Sequence, residues 1–242
     1  MHDTDKAVEA MLDEVRLEYR SRITQGSVSL LSGVGEYLAS RNGKMLRPRM
    51  TLEAAATLGA DNLHSHRTLL LATCVEMLHN ASLLHDDVVD KADKRRGRPS
   101  VNAQWNNAVA VLVGDFFFAQ IMQLLDEVDD RGASRLLNNC TKAMTEAELL
   151  QQEIMAGKPL TESDYLTIID GKTANLFATA CAFGNPTYRD LGLHYGRMFQ
   201  IHDDISDGEA PQFANRLLEA ERQQTESLHN AGILLPMTQA SV

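Results

Sequence analysis

The 242-residue sequence predicts an all-α fold, and three observations carry that expectation. Apolar residues recur at three- and four-residue spacing through most of the chain, which is the period of a helix face. Strand-like alternation is not sustained anywhere, and the six prolines fall between the apolar segments, where helix breakers belong. Taken in order, Ala7, Val8, Met11, Leu12 and Val15 mark a first helix, and Leu30, Leu31, Val34, Tyr37 and Leu38 mark a second. Apolar-rich stretches at 51–58 and 68–90 come next. Residues 108–128 are hydrophobic on most faces, which suits the centre of a helical bundle. The pattern continues over 135–156, 163–183, 188–207 and 213–228. No linker-like tract, low-complexity run or internal repeat interrupts it, so residues 1–242 read as a single all-α domain.

Composition narrows the function. Hydrophobic content of 44% and charged content of 23% are ordinary for a globular chain. A net charge of −10 argues against general binding to nucleic acid or an anionic membrane, so any affinity for phosphate must be local. Cys74, Cys140 and Cys181 lie scattered among apolar neighbours and read as buried free thiols in a reducing compartment. The polar, acidic N-terminus MHDTDKAVEA does not resemble a signal peptide. No uncharged apolar run approaches the ~18 residues that span a membrane. The expectation is a cytoplasmic protein without a transmembrane segment.

The most informative stretch is 81–100, ASLLHDDVVDKADKRRGRPS. Asp86 and Asp90 are four residues apart and share a helix face, while Asp87 is turned aside. Two carboxylates among Leu83, Leu84, Val88 and Val89 repel each other unless a cation intervenes. Hard oxygen ligands at this spacing suit Mg²⁺, commonly held by one or two carboxylates plus substrate phosphates. Arg95, Arg96 and Arg98 follow and could grip the remaining phosphate oxygens. A second copy appears in MFQIHDDISD, where Asp203 and Asp207 form the pair and Asp204 lies between. Two copies in apolar segments argue against a merely solvated acidic face, because unpaired buried carboxylates are costly. Basic residues supply the complement: Lys44 and Arg47 in GKMLRP, His79 two turns before Asp86, and Lys172 with Thr173 in an otherwise apolar helix.

The motifs GKMLRP, EMLHNASLLHDDVVD with RRGRPSVN, VLVGDFFFAQ, GKTANLF and FQIHDDISD together resemble those of the trans-isoprenyl diphosphate synthases, the polyprenyl synthetase family. The resemblance runs from about Lys44 to Asp207. It implies an isoprenoid synthase-type bundle of mostly antiparallel helices around a central cavity, commonly a homodimer, that elongates an allylic diphosphate with isopentenyl diphosphate. By that resemblance Asp86, Asp90, Asp203 and Asp207 hold Mg²⁺, three ions with substrate bound, on the allylic diphosphate. Arg95, Lys172, Thr173 and Gln200 contact the same group, and Lys44, Arg47, His79 and Arg96 bind isopentenyl diphosphate. Asp86, Asp90, Lys172 and Asp203 would carry the catalysis. Ala81 and Ser82, both small, stand where a bulky aromatic limits chain length in the family, which implies a long-chain product.

Relative to the family pattern, GNPTYRDLGLHYGRMFQ is short by about one helical turn, and the glycine- and lysine-rich loop after the second motif is not recognisable. Two other readings stay open at this stage. One is a regulatory subunit that pairs with an active synthase; the other is a class I terpene cyclase, which the second motif and the second set of basic residues disfavour.

Overall fold

The structure is a computed structural model that describes residues 2–40, 43–233 and 235–236. Its helices are α1 (His2–Thr24), α2 (Ser29–Ala39), α3 (Leu46–Ala56), α4 (Ala60–Leu63), α5 (His66–Val89), α6 (Val101–Gln104), α7 (Asn107–Val128) and α8 (Arg131–Met155). They continue as α9 (Glu162–Ile169), α10 (Asn175–Gly184), α11 (Arg189–Asp207) and α12 (Ala214–Asn230). The all-α expectation holds, with three local departures. Pro48 lies inside the first turn of α3, where its missing N–H leaves no bond unmade. Two short strands, β1 (Lys94–Arg95) and β2 (Arg98–Pro99), form an antiparallel hairpin. Its two-residue loop, Arg96–Gly97, has positive φ at both positions, as a primed hairpin turn demands. Finally, the apolar stretch 163–183 is not one helix: a π-helical turn at Asp170–Ala174 separates α9 from α10.

The chain divides into two compact units. The first comprises the residues up to Pro48 together with Ser65–Asp130. Its core is the α5–α7 pair, with α1 against α5 and α2 against α1. Val8, Met11, Leu12, Val15, Tyr19 and Ile23 form the buried stripe of α1, continuing the 3-4 spacing of the sequence. α5 opens on a cap in which the Ser65 hydroxyl accepts from the Thr68 N–H, and Asn106 caps α7 in the same way. α7 is long and apolar enough to cross a membrane by length and composition, although Asp115 interrupts it. Its buried face, including Val113, Phe117, Ile121 and Leu124, belongs to the core of this unit.

The approach of α5 to α7 depends on Gly114. A Cβ there would lie 2.3 Å from the His85 Nε2. The His85 ring bonds the Val111 carbonyl at 3.2 Å and packs on Phe118 at 5.8 Å. Gly114→Ala must therefore displace the ring one residue before Asp86. The expected loss is ~1–3 kcal/mol, as for overpacked cores. At ~2–4 °C per kcal/mol for a chain of this size, Tm falls by ~2–12 °C in a calorimetric scan.

The second unit comprises Arg49–His64 and the residues from Arg131 onward. α10 packs along α11, and α11 along α12. Tyr165, Ile169, Met198, Ile201, Ala214, Leu217 and Leu218 form one apolar cluster that ties α9, α11 and α12 together. Small residues let backbones meet closely: a Cβ on Gly196 would come within 2.6 Å of the Ala174 Cα. Cys74, Cys140 and Cys181 are buried free thiols.

Candidate active site

In the first unit, α5 carries the first aspartate motif at its C-terminal end. Asp86 is half-buried and Asp90 is exposed as the C-cap residue, whereas Asp87 is buried. The Arg95 guanidinium donates to Asp87 Oδ1 from Nε at 2.9 Å and from Nη2 at 2.5 Å. Asn102 Nδ2 reaches the Asp87 carbonyl at 3.1 Å and the Ala92 carbonyl at 3.0 Å, fastening the loop after α5. The middle aspartate is thus a strut inside the protein. The outer two are one helical turn apart.

Around this motif the unit gathers cations. Burial, and then the charges of Arg47, Arg96 and Arg95, push the His79 pKa well down, so this imidazole is neutral and can donate one hydrogen bond. Gly43 lies against Arg96, since a Cβ there would sit 2.7 Å from Arg96 Nη1; the GKMLRP loop and the hairpin tip meet at that point. Lys44 and Arg96 are exposed, while Arg47 and Arg95 are half-buried. Behind them lies a carboxyl that the sequence reading did not single out. Glu76 is 5% exposed, accepts from Asn80 Nδ2 at 3.0 Å, and has its pKa raised, chiefly by burial. The only sequence signal for it was its place in EMLH, three residues before His79. Ala81 is fully buried, and the half-buried Ser82 donates its hydroxyl to the His79 carbonyl at 2.9 Å.

In the second unit, the π turn presents Lys172 and Thr173. The turn lies where Gly171 is pressed against α8: a Cβ there would fall 2.3 Å from the Ala147 Cβ. Such single π turns inside helices are frequent at functional sites. Lys172 Nζ pairs with Glu148 Oε2 at 2.7 Å and donates to Gln151 Oε1 at 2.9 Å. Thr173 Oγ1 donates to Gln200 Oε1 at 2.6 Å, and Gln200 Nε2 donates to Asp204 Oδ1 at 2.8 Å. Asp203 and Asp207 are exposed on α11, while Asp204 is half-buried. Lys172, Thr173, Gln200 and the second motif therefore form one connected group. Glu148 and Gln151 belong to it and escaped the sequence reading, because acidic and amide residues on a polar helix face carry no signal of their own.

The donor chemistry fits a divalent cation that shares its ligands with a phosphate. Each motif offers two carboxylates one turn apart, and no group of three or more His, Cys, Asp or Glu able to hold a metal occurs among the described residues. Mg²⁺ needs no all-protein cage, since it retains waters and takes phosphate oxygens.

Comparison with known proteins gives the same direction. Residues 28–214 match the family described as Polyprenyl synthetase. The all-trans-nonaprenyl-diphosphate synthase (geranyl-diphosphate specific) of Rhodobacter capsulatus is 42% identical over 190 residues, covering 74% of this chain and 58% of that protein. A polyprenyl synthase from Caulobacter crescentus CB15, solved with calcium and isoprenyl diphosphate, is 37% identical with a TM-score of 0.76, covering 83% of this chain and 64% of that one. A decaprenyl diphosphate synthase structure from Rhodobacter capsulatus is 33% identical with a TM-score of 0.80, covering 88% and 71% respectively. The chain thus spans a little over half the length of the curated relative.

Proposed function

This chain belongs to the polyprenyl synthetase family, and from that premise we propose that it condenses isopentenyl diphosphate with an allylic diphosphate to give a long-chain all-trans polyprenyl diphosphate. One observation carries the reading. The same arrangement occurs twice: an outer aspartate pair one turn apart, with the middle aspartate tied back into the protein by Arg95 in one case and by Gln200 in the other. A solvated acidic face has no reason to tie its middle member back in this way.

Asp86, Asp90, Asp203 and Asp207 would hold Mg²⁺, three ions with substrate bound. When bound, Mg²⁺ supplies charge neutralisation to the allylic diphosphate. Arg95, Lys172, Thr173 and Gln200 orient that diphosphate by charge and hydrogen bonds. Lys172 is held ready by Glu148, whose carboxyl burial would raise but the Lys172 and Gln152 hydrogen bonds lower. Lys44, Arg47, Arg96 and the neutral His79 bind the diphosphate of isopentenyl diphosphate, with His79 donating. The allylic C–O bond then breaks, and the diphosphate departs with the electron pair. The double bond of isopentenyl diphosphate attacks the allylic cation, and loss of one proton restores a double bond. The protein contributes position, electrostatic stabilisation and exclusion of water, with no protein nucleophile.

The names of the relatives quoted above, nonaprenyl and decaprenyl, support a product beyond C20. So does the absence of bulk at Ala81 and Ser82. The family match runs through both compact units, which supports reading 1–242 as one synthase domain. A homodimer fits the exposed Leu112 and Met122 on α7, and three free cysteines fit a cytoplasmic site.

Purified protein, farnesyl diphosphate, radiolabelled isopentenyl diphosphate and Mg²⁺ give the test, with extracted products sized by chromatography. Products longer than C20 are expected. Metal-dependent binding of farnesyl diphosphate without any product would overturn the stand-alone synthase and favour a subunit of a heteromeric enzyme.

A further inference from the structure

We propose that Tyr165 is a positioning residue for the second aspartate motif: by holding one oxygen of Asp204 while Gln200 holds the other, it fixes the rotation of α11 that turns the exposed Asp203 and Asp207 toward a divalent cation. The inference rests on the metal-binding reading of that motif. Tyr165 Oη donates to Asp204 Oδ2 at 2.6 Å, and Gln200 Nε2 donates to Oδ1 at 2.8 Å, so each carboxylate oxygen has its own donor. The tyrosine is itself fixed. It is 6% exposed, packs edge-on against Phe213 at 5.6 Å, and belongs to the apolar cluster with Ile169, Met198 and Ile201. Burial, and then the hydrogen bond and charge of Asp204, raise the phenol pKa, so it stays a donor throughout the working range.

Geometry explains why this matters. At ~100° per residue, Asp203 and Asp207 lie within ~40° of each other, while Asp204 is ~100° away from Asp203. Anchoring Asp204 from α9 therefore sets where the outer pair points. An unanchored Asp204 would swing as a rival ligand. The first motif is fixed by a cation, Arg95, whereas here both donors are neutral and leave the charge of Asp204 in place.

The test is binding of Mn²⁺ in the presence of inorganic diphosphate, followed by the electron paramagnetic resonance signal of free Mn²⁺. Tyr165→Phe keeps the ring and removes the donor, and is expected to raise the half-saturating Mn²⁺ concentration about tenfold. In an Asp204→Asn background the same substitution should change it less than twofold, which a merely structural role would not produce. Half-saturation unchanged or lowered by Tyr165→Phe, or raised equally in both backgrounds, overturns the proposal. Wild type that retains no Mn²⁺ with diphosphate overturns instead the metal reading on which it stands.

Discussion

Asp86→Ala is expected to lower kcat about 10³-fold with farnesyl diphosphate as primer, and Asp203→Ala to do so by a similar factor. The physical basis is the charge that develops on the departing diphosphate. A divalent cation contributes several kcal/mol to that step, and ~4 kcal/mol corresponds to ~10³ in rate. Each motif has only two outward carboxylates, because Asp87 is committed to Arg95 and Asp204 to Tyr165 and Gln200. Neither motif therefore holds a spare ligand. The KM for isopentenyl diphosphate should move only a fewfold, since the residues proposed to bind it, Lys44, Arg47, His79 and Arg96, are untouched. Initial rates of label incorporation separate the two constants. An Asp203→Ala enzyme that keeps a tenth or more of wild-type kcat would remove the second motif from the proposed mechanism.

Arg197→Ala is expected to cost the most stability for a single polar side chain. Its guanidinium donates to both oxygens of Asp170, at 2.5 and 2.7 Å, and to Glu221 Oε1 at 3.1 Å. His194 Nδ1 meets the other Glu221 oxygen at 2.5 Å. Removing Arg197 strips Asp170 of both of these guanidinium hydrogen bonds and leaves the 9% exposed Glu221 with His194 alone. The Arg197 side chain is 21% exposed, so ~3 kcal/mol, the low end for a broken buried pair, is the appropriate figure. That corresponds to a Tm lowered by ~6–12 °C. Asp170 opens the π turn that carries Lys172, so the KM for the allylic diphosphate should rise as well.

Acid should act on the same network. Burial alone would raise the Glu221 carboxyl, but the His194 hydrogen bond and the Arg197 charge outweigh it and hold the group below its ordinary 4.5. A carboxyl depressed in the folded state contributes stability above its unfolded value and loses it as pH falls. Wild-type Tm should therefore drop below pH ~4.5, and the drop should be shallower in Arg197→Ala. A Tm profile equally steep in both proteins would exclude Glu221 as its source.

The helices could be read from the sequence because an amphipathic period is local: Val8, Met11, Leu12 and Val15 reveal a buried face without any knowledge of what covers it. The two aspartate motifs were legible for the same reason, since spacing along one helix fixes which carboxylates share a face. Spacing also set Asp87 aside, but the partner that holds it, Arg95, comes from the far side of a turn and had been assigned only to substrate. The break of 163–183 into α9, a π turn and α10 was not legible. Nothing within that segment forces it, and the close contact of Gly171 with Ala147 lies on another helix.

By itself, then, the sequence determined the all-α class, the two outward carboxylate pairs and the set of basic residues proposed to complement a diphosphate. Each of these depends on residues within a few positions of one another. The tertiary structure alone decided what holds them in place: Tyr165 on Asp204 across 39 residues, Arg197 on Asp170 across 27, and Lys172 on Gln151 across 21. Hydrogen bonds at such separations leave no period in the chain, because their partners become neighbours only when the apolar faces have packed.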